Sequence, residues 1–103
     1  MAEAFSYKLT TEVQPCTFDF SQVLVAGETI STVVFTVLVQ QGVDASPSSL
    51  LSGSASIDNF KVSQKITGGV TNVTYRLVAT ITTSNSNTYV GVGDITIYDP
   101  SEV

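Results

Sequence analysis

The side chains able to do chemistry in this chain are few. There are nine carboxylates, four basic groups, one cysteine and four tyrosines, and there is no histidine. Histidine is the commonest general base near neutral pH and a frequent metal ligand, so Ser-His-Asp and Cys-His centres are impossible within the chain. A Ser-Lys dyad on Lys61 or Lys65 stays formally open, but no strained nucleophile turn adjoins them. Asp19, Glu28, Asp44, Asp58, Asp94 and Asp99 are the carboxylates that could pair for acid–base work or hold calcium. They are dispersed, mostly at turns and strand ends, where Asp bonds local backbone. A glycosidase pair usually has Trp or Arg beside it, and the chain has no Trp. No stretch has the dense Asp/Asn spacing of a calcium loop. The expectation is a non-enzymatic chain without catalytic, cofactor or metal residues, its binding residues unassigned.

Other motifs have plainer explanations. Gly91-Val92-Gly93-Asp94 precedes Ile95-Thr96-Ile97, a β-rich run and not a helix, so it is no phosphate loop. Paired glycines within a strand suggest a bulge or a close backbone approach, and the bulged strand is the expectation. Asn72-Val73-Thr74 matches the glycosylation pattern, but no secretory signal is visible. Tyr7, Tyr75, Tyr89 and Tyr98 could stack a sugar or a base, or divide between core and rim, which is the expectation. Cys16 cannot form an intrachain disulfide and is expected to be a small buried residue. Lys8, Lys61, Lys65 and Arg76 make no basic cluster, and the net charge is −5. Nucleic acid is therefore not an expected partner. An anionic membrane surface would repel the chain, and its longest apolar stretch, Val33 to Val39, is far too short to span a bilayer.

The elements that must position these groups are strands. Charged residues are 13% of the chain, well below the usual ~25%, while Thr, Ser and Val dominate. β-Branched residues favour strands, and hydroxyls keep a sheet face polar without charge. Val73, Tyr75, Leu77, Ala79 and Ile81 alternate with Thr74, Arg76, Val78, Thr80 and Thr82, the period of a half-buried strand. Ser84-Asn85-Ser86-Asn87 breaks the run, and Thr88 to Tyr98 completes a long hairpin. Cys16 to Phe20 forms a short alternating strand, and Ser21 to Gly27 a turn packed by Val23 and Leu24. Glu28 to Val39 is almost continuously apolar at its centre, which predicts a core face and an outer face at least partly covered. Gln40 to Gly53 reads mostly as loop, followed by a short strand from Ser54 to Asp58. Phe60, Val62, Gln64 and Ile66 alternate with Lys61, Ser63 and Lys65. Gly68-Gly69 supplies a turn needing positive φ. Residues 1–8 are expected as a flexible arm and 99–103 as a tail. About seven antiparallel strands with turns between them favour one two-sheet sandwich over 1–103.

Taken in order, Phe18-Asp19-Phe20, Leu24, Gly27-Glu28-Thr29-Ile30, Gly68-Gly69, Tyr75 and Thr82-Thr83-Ser84 resemble a family of short proteins encoded among tailed-phage and prophage structural genes. Those chains are immunoglobulin-like β-sandwiches, so the resemblance implies that fold. Tyr75, three residues after Asn72, resembles the tyrosine corner of such domains, whose hydroxyl bonds backbone upstream. The family often has Trp where Phe20 or Phe35 stands, and Gln40 to Ser56 matches nothing in it. The resemblance implies a virion structural protein made in the host cytoplasm without a signal peptide. It is expected to be head-associated, as a capsid decoration or connector-region component. Its expected partners are capsid or connector proteins and further copies of itself. The alternative is a carbohydrate- or receptor-binding module of a phage fibre or adhesin.

Overall fold

The computed structural model describes Ala2–Ala4 and residues 7–102. The chain is an all-β sandwich of two sheets. Its strands are β1 (Ala2–Ala4), β2 (Lys8–Leu9), β3 (Val13–Asp19), β4 (Ile30–Gln41), β5 (Leu51–Asp58), β6 (Lys61–Thr67), β7 (Thr74–Thr83) and β8 (Thr88–Tyr98). Short 3-10 turns cover Pro47–Leu50 and Pro100–Glu102. The larger sheet runs β1-β8-β7-β4, with β2 also paired to β8, and the smaller runs β3-β6-β5. β1 and β2 lie parallel to β8, while every other pairing is antiparallel. Ala2–Ala4 and Lys8 are thus strand residues in the stretch where an arm is expected. The bond from the Thr10 amide to the Tyr98 carbonyl, 2.9 Å, extends the same edge.

The period-two pattern of β7 is realised residue by residue. Tyr75, Leu77, Ala79 and Ile81 are fully buried and their neighbours are half-exposed. Opposite them, Cys16, Phe18, Val62 and Ile66 close the core from the smaller sheet. Phe18 meets Phe35 across the layers with ring centroids 5.8 Å apart. Each such side chain contributes roughly 1.5–3 kcal/mol by leaving water. Cys16 is 1% exposed, and burial pushes its thiol up to about 11, so it behaves as an apolar filler.

Gly91 and Gly93 do not form the expected bulge. The β7–β8 register runs unbroken through both, so there is no bulge. Gly91 is instead a site of close approach. A Cβ there would lie 2.9 Å from Phe18 and 3.0 Å from Phe20. Gly68 and Gly69 adopt φ of 64° and 98°, as the turn reading requires. Phe60 departs from its expected inward place. Asn59 takes φ of 54°, the β5–β6 turn occupies Asn59 and Phe60, and Phe60 is left 43% exposed. The region expected as mostly loop is shorter, because β4 continues to Gln41 and β5 already begins at Leu51.

Gln64 shows how an irregularity in one strand is satisfied by another. β5 slips in register between Ser52 and Ser56, around Gly53 at φ 70°. The slip frees carbonyls from the ladder. The buried Gln64 amide donates to the Ser52, Gly53 and Lys65 carbonyls at 3.0, 3.2 and 3.0 Å. Satisfied in this way, a buried polar side chain avoids the desolvation penalty of an unpaired one.

Candidate functional site

Most of the chain's ionisable groups hold the fold. Glu28, 1% exposed, accepts from the Thr83 hydroxyl, from Asn87 Nδ2 at 3.0 Å and from the Val25 amide at 3.1 Å. The Thr83 hydroxyl and then the Val25 amide hold its carboxyl below the usual range, against the opposing effect of burial. Beside it the Ser84 amide donates to the Thr29 carbonyl at 2.8 Å, and the Thr29 amide to Ser84 Oγ at 3.0 Å. The segments Gly27 to Ile30 and Thr82 to Ser84, which carry the phage resemblance, therefore meet as a clip. They fasten the start of β4 to the tip of the β7–β8 hairpin and form no reactive centre.

Asp44 is likewise structural. Its carboxylate accepts from the Tyr75 hydroxyl at 2.6 Å, and that hydroxyl accepts from the Val70 amide at 2.9 Å. The hydroxyl bonds backbone five residues upstream, as the corner reading expects. The Tyr75 hydrogen bond is the main cause lowering the Asp44 carboxyl. Burial first, and Asp44 second, push Tyr75 up to about 12. Asp94 pairs with Arg76 in two bonds of 2.8 and 3.0 Å. Asp99 caps Ser101. Lys8, in the segment expected as an arm, is fully buried and donates to the Leu9 and Gly68 carbonyls at 2.8 and 2.7 Å. Burial pulls its pKa down. Asn72, from the glycosylation-like triplet, is a turn residue with φ of 67° whose amide bonds the Ile97 carbonyl at 2.7 Å.

Two carboxylates do come together. Asp19 and Asp58 both stand opposite Lys61 in register and line a shallow depression of about 240 Å³. The backbone amide of Ser21 is the main cause lowering Asp19, so that group is already engaged. Ser63, the serine between Lys61 and Lys65, hydrogen-bonds the Thr17 hydroxyl at 2.8 Å. Among the described residues no group of three or more His, Cys, Asp or Glu side chains could hold a metal ion.

The tyrosines divide as expected. Tyr75 is buried, and Tyr7, 50% exposed, meets Tyr98 edge-on at 5.6 Å. Tyr89 lines a small apolar cleft of about 120 Å³ with Phe18, Phe20, Val23, Val90 and Gly91. It lies nine residues along β8 from Tyr98, roughly 30 Å in an extended strand, so these rings form no common platform.

What remains is a surface. The outer face of the larger sheet places Val34, Thr80 and Val90 in one cross-strand row, Thr36, Val78 and Val92 in the next, and Leu38, Arg76 and Asp94 in the third. Val34, Leu38 and Val90 are 59, 56 and 48% exposed. The expectation of a covered outer face on β4 is thus not met within the chain. β4, β7 and β8 carry two charged residues, Arg76 and Asp94, and these neutralise each other. The outer face of the smaller sheet is the opposite, with Thr17, Asp19, Lys61, Ser63, Lys65 and Ser56 facing water. The sequence pattern missed this difference, because an unbroken apolar run fits a strand covered on both sides.

Among the described residues no helix is long and apolar enough to cross a membrane. The model of one protein family, described as podophage GP4 fiber-tail adaptor protein gp77, matches residues 8–95. That description names a tail component, where the sequence reading favoured the head. No curated protein and no solved structure matches the chain.

Proposed function

The chain belongs to the gp77 family of podophage fiber-tail adaptor proteins, and from that premise we propose that it is a non-enzymatic adaptor joining a fibre to the tail of the particle. The observation that carries this reading is the neutral, apolar outer face of the larger sheet around Val34, Leu38 and Val90. Exposed apolar surface on a rigid scaffold marks a protein contact. A face with no net charge can dock on another protein without desolvating unpaired ions. Three of the six carboxylates weighed for catalysis, Glu28, Asp44 and Asp94, are engaged in the Glu28 clip, the Tyr75 corner and the Arg76 pair.

An immunoglobulin-like arrangement is part of the same proposal. Support comes from the parallel pairing of the first strands with β8, the division into β3-β6-β5 and β8-β7-β4, and the Tyr75 hydroxyl bound to Val70. The test is removal of the gene, followed by electron microscopy and mass spectrometry of the particles. The proposal expects the chain in wild-type virions, and filled heads and tails without fibres in its absence. Virions that lack the chain but carry fibres would refute it.

A further inference from the structure

Among the described residues the two sheets leave four open edges, and three are blunted by familiar means. The β1/β2 edge is two short pieces of three and two residues. β3 carries Pro15, which has no amide to donate. β5 is broken by the register slip at Ser52 and Ser56 and by Gly53. Natural sheets use such devices, or edge charges, to prevent pairing with other chains. β4 has none of them over Thr32 to Val39. Its twelve residues include no proline and no charge, and its register is regular between irregularities at its two ends. It hydrogen-bonds β7 alone in the sheet, and among the described residues none of its backbone groups bonds elsewhere. β5 and the Pro47–Leu50 turn lie near it in the other layer without pairing to it.

We propose that this edge pairs with the same edge of a second copy, antiparallel about a two-fold axis at Thr36. The sequence of β4 is self-complementary in that register. Val34 faces Leu38 of the other copy, closing the exposed apolar band. Val33 faces Val39 on the inner side, and both are only partly buried in the single chain. Phe35 faces Val37, Thr36 faces its own copy, and Thr32 faces Gln40. Every pair is apolar with apolar or polar with polar, the matching that stabilises cross-strand neighbours. The symmetric alternative centred at Phe35 sets Val34 against Thr36 and Leu38 against Thr32. Charge favours a second copy over a basic partner. The chain carries −5, yet strands β4, β7 and β8 hold only the cancelled Arg76–Asp94 pair. Two copies therefore meet here without like-charge repulsion, and a cationic partner finds nothing to attract it. The contact is isologous and closes on itself. It requires no assumption about where in the particle the chain sits.

The test is sedimentation equilibrium of the full chain from micromolar to millimolar concentration, with circular dichroism to confirm folding. Wild type is expected to dimerise. Val34→Lys and Leu38→Lys, both on exposed positions, are each expected to weaken the dimer about tenfold, since each change recurs across the two-fold. The decisive variant is Val34→Lys with Leu38→Glu, which sets Lys against Glu twice and should restore association. A folded wild type that stays monomeric throughout overturns the proposal and leaves the edge to a strand of another virion protein. A dimer indifferent to Val34→Lys, or one that the double variant fails to restore, overturns the register.

Discussion

Both sheets turn an inner face to the core, and they differ on their outer faces. The smaller sheet presents Thr17 bonded to Ser63, with Lys61 and Lys65 exposed beside them. The larger presents Val34, Leu38 and Val90, and the Arg76–Asp94 pair beside them is internally cancelled. Inside, both obey the same alternation, and fully buried Val62 and Ile66 match fully buried Leu77 and Ile81. The inner faces explain why the chain folds. The difference between the outer faces is where an assembly role is written, because burying the smaller sheet's outer face would strip water from two ammonium groups while the larger has apolar area to gain.

The sharpest way to break this division is to separate stability from assembly. Leu77→Ala, on the inner face, should cost about 2–5 kcal/mol in chemical denaturation. Gly91→Ala should cost about 1–3 kcal/mol, because the added methyl meets Phe18 and Phe20 and must displace rings. Tyr75→Phe should cost about 1–2 kcal/mol by orphaning the Val70 amide. Val34→Lys, on the outer face, should change stability by no more than about 0.5 kcal/mol and still abolish incorporation into particles. Equal losses of stability for Val34→Lys and Leu77→Ala would erase the distinction between faces.

Acid should act on the polar fastenings and leave the apolar face alone. Glu28 and Asp44 are held below the ordinary carboxyl range, by the Thr83 and Tyr75 hydroxyls respectively. Their stabilisation is complete above the unfolded values near pH ~4 and is lost as pH falls through the lower folded values. Thermal midpoints should therefore fall below about pH 4, and Tyr75→Phe should flatten that fall by removing the share of Asp44. An acid limb identical in the two proteins would show that the Tyr75–Asp44 bond does not set it.

The local parts of this picture were legible in sequence and the long-range parts were not. The alternation of β7, the turn at Gly68-Gly69 and the break at Ser84 to Asn87 are properties of neighbouring residues, and all appear where expected. The Tyr75 hydroxyl was also anticipated, since its backbone partner is five residues away. The bond between Glu28 and Thr83 gave no signal, because the two lie 55 residues apart. Gly91 reads as a bulge in sequence, and the close approach that holds instead depends on Phe18 from the opposite sheet. Lys8 could not be read as buried, because its anchor is the Gly68 carbonyl, 60 residues distant. For β4 the run Val33 to Val39 announced a strand but not its neighbours. Whether an apolar outer face is covered depends on topology, and topology placed β4 at an edge.

Lysine chemistry offers the most direct test of the division between faces. Lys8 is buried, so Lys61 and Lys65 on the smaller sheet are the exposed lysines. Intact virions are treated with an amine-acetylating reagent, and the chain is then digested and its lysines quantified against the isolated protein. A parallel sample carries Val90→Cys as a thiol reporter on the other face. The account predicts that Lys61 and Lys65 react equally in particle and isolated chain, while the thiol at position 90 is protected in the particle. Protected lysines with an accessible thiol at position 90 would contradict it.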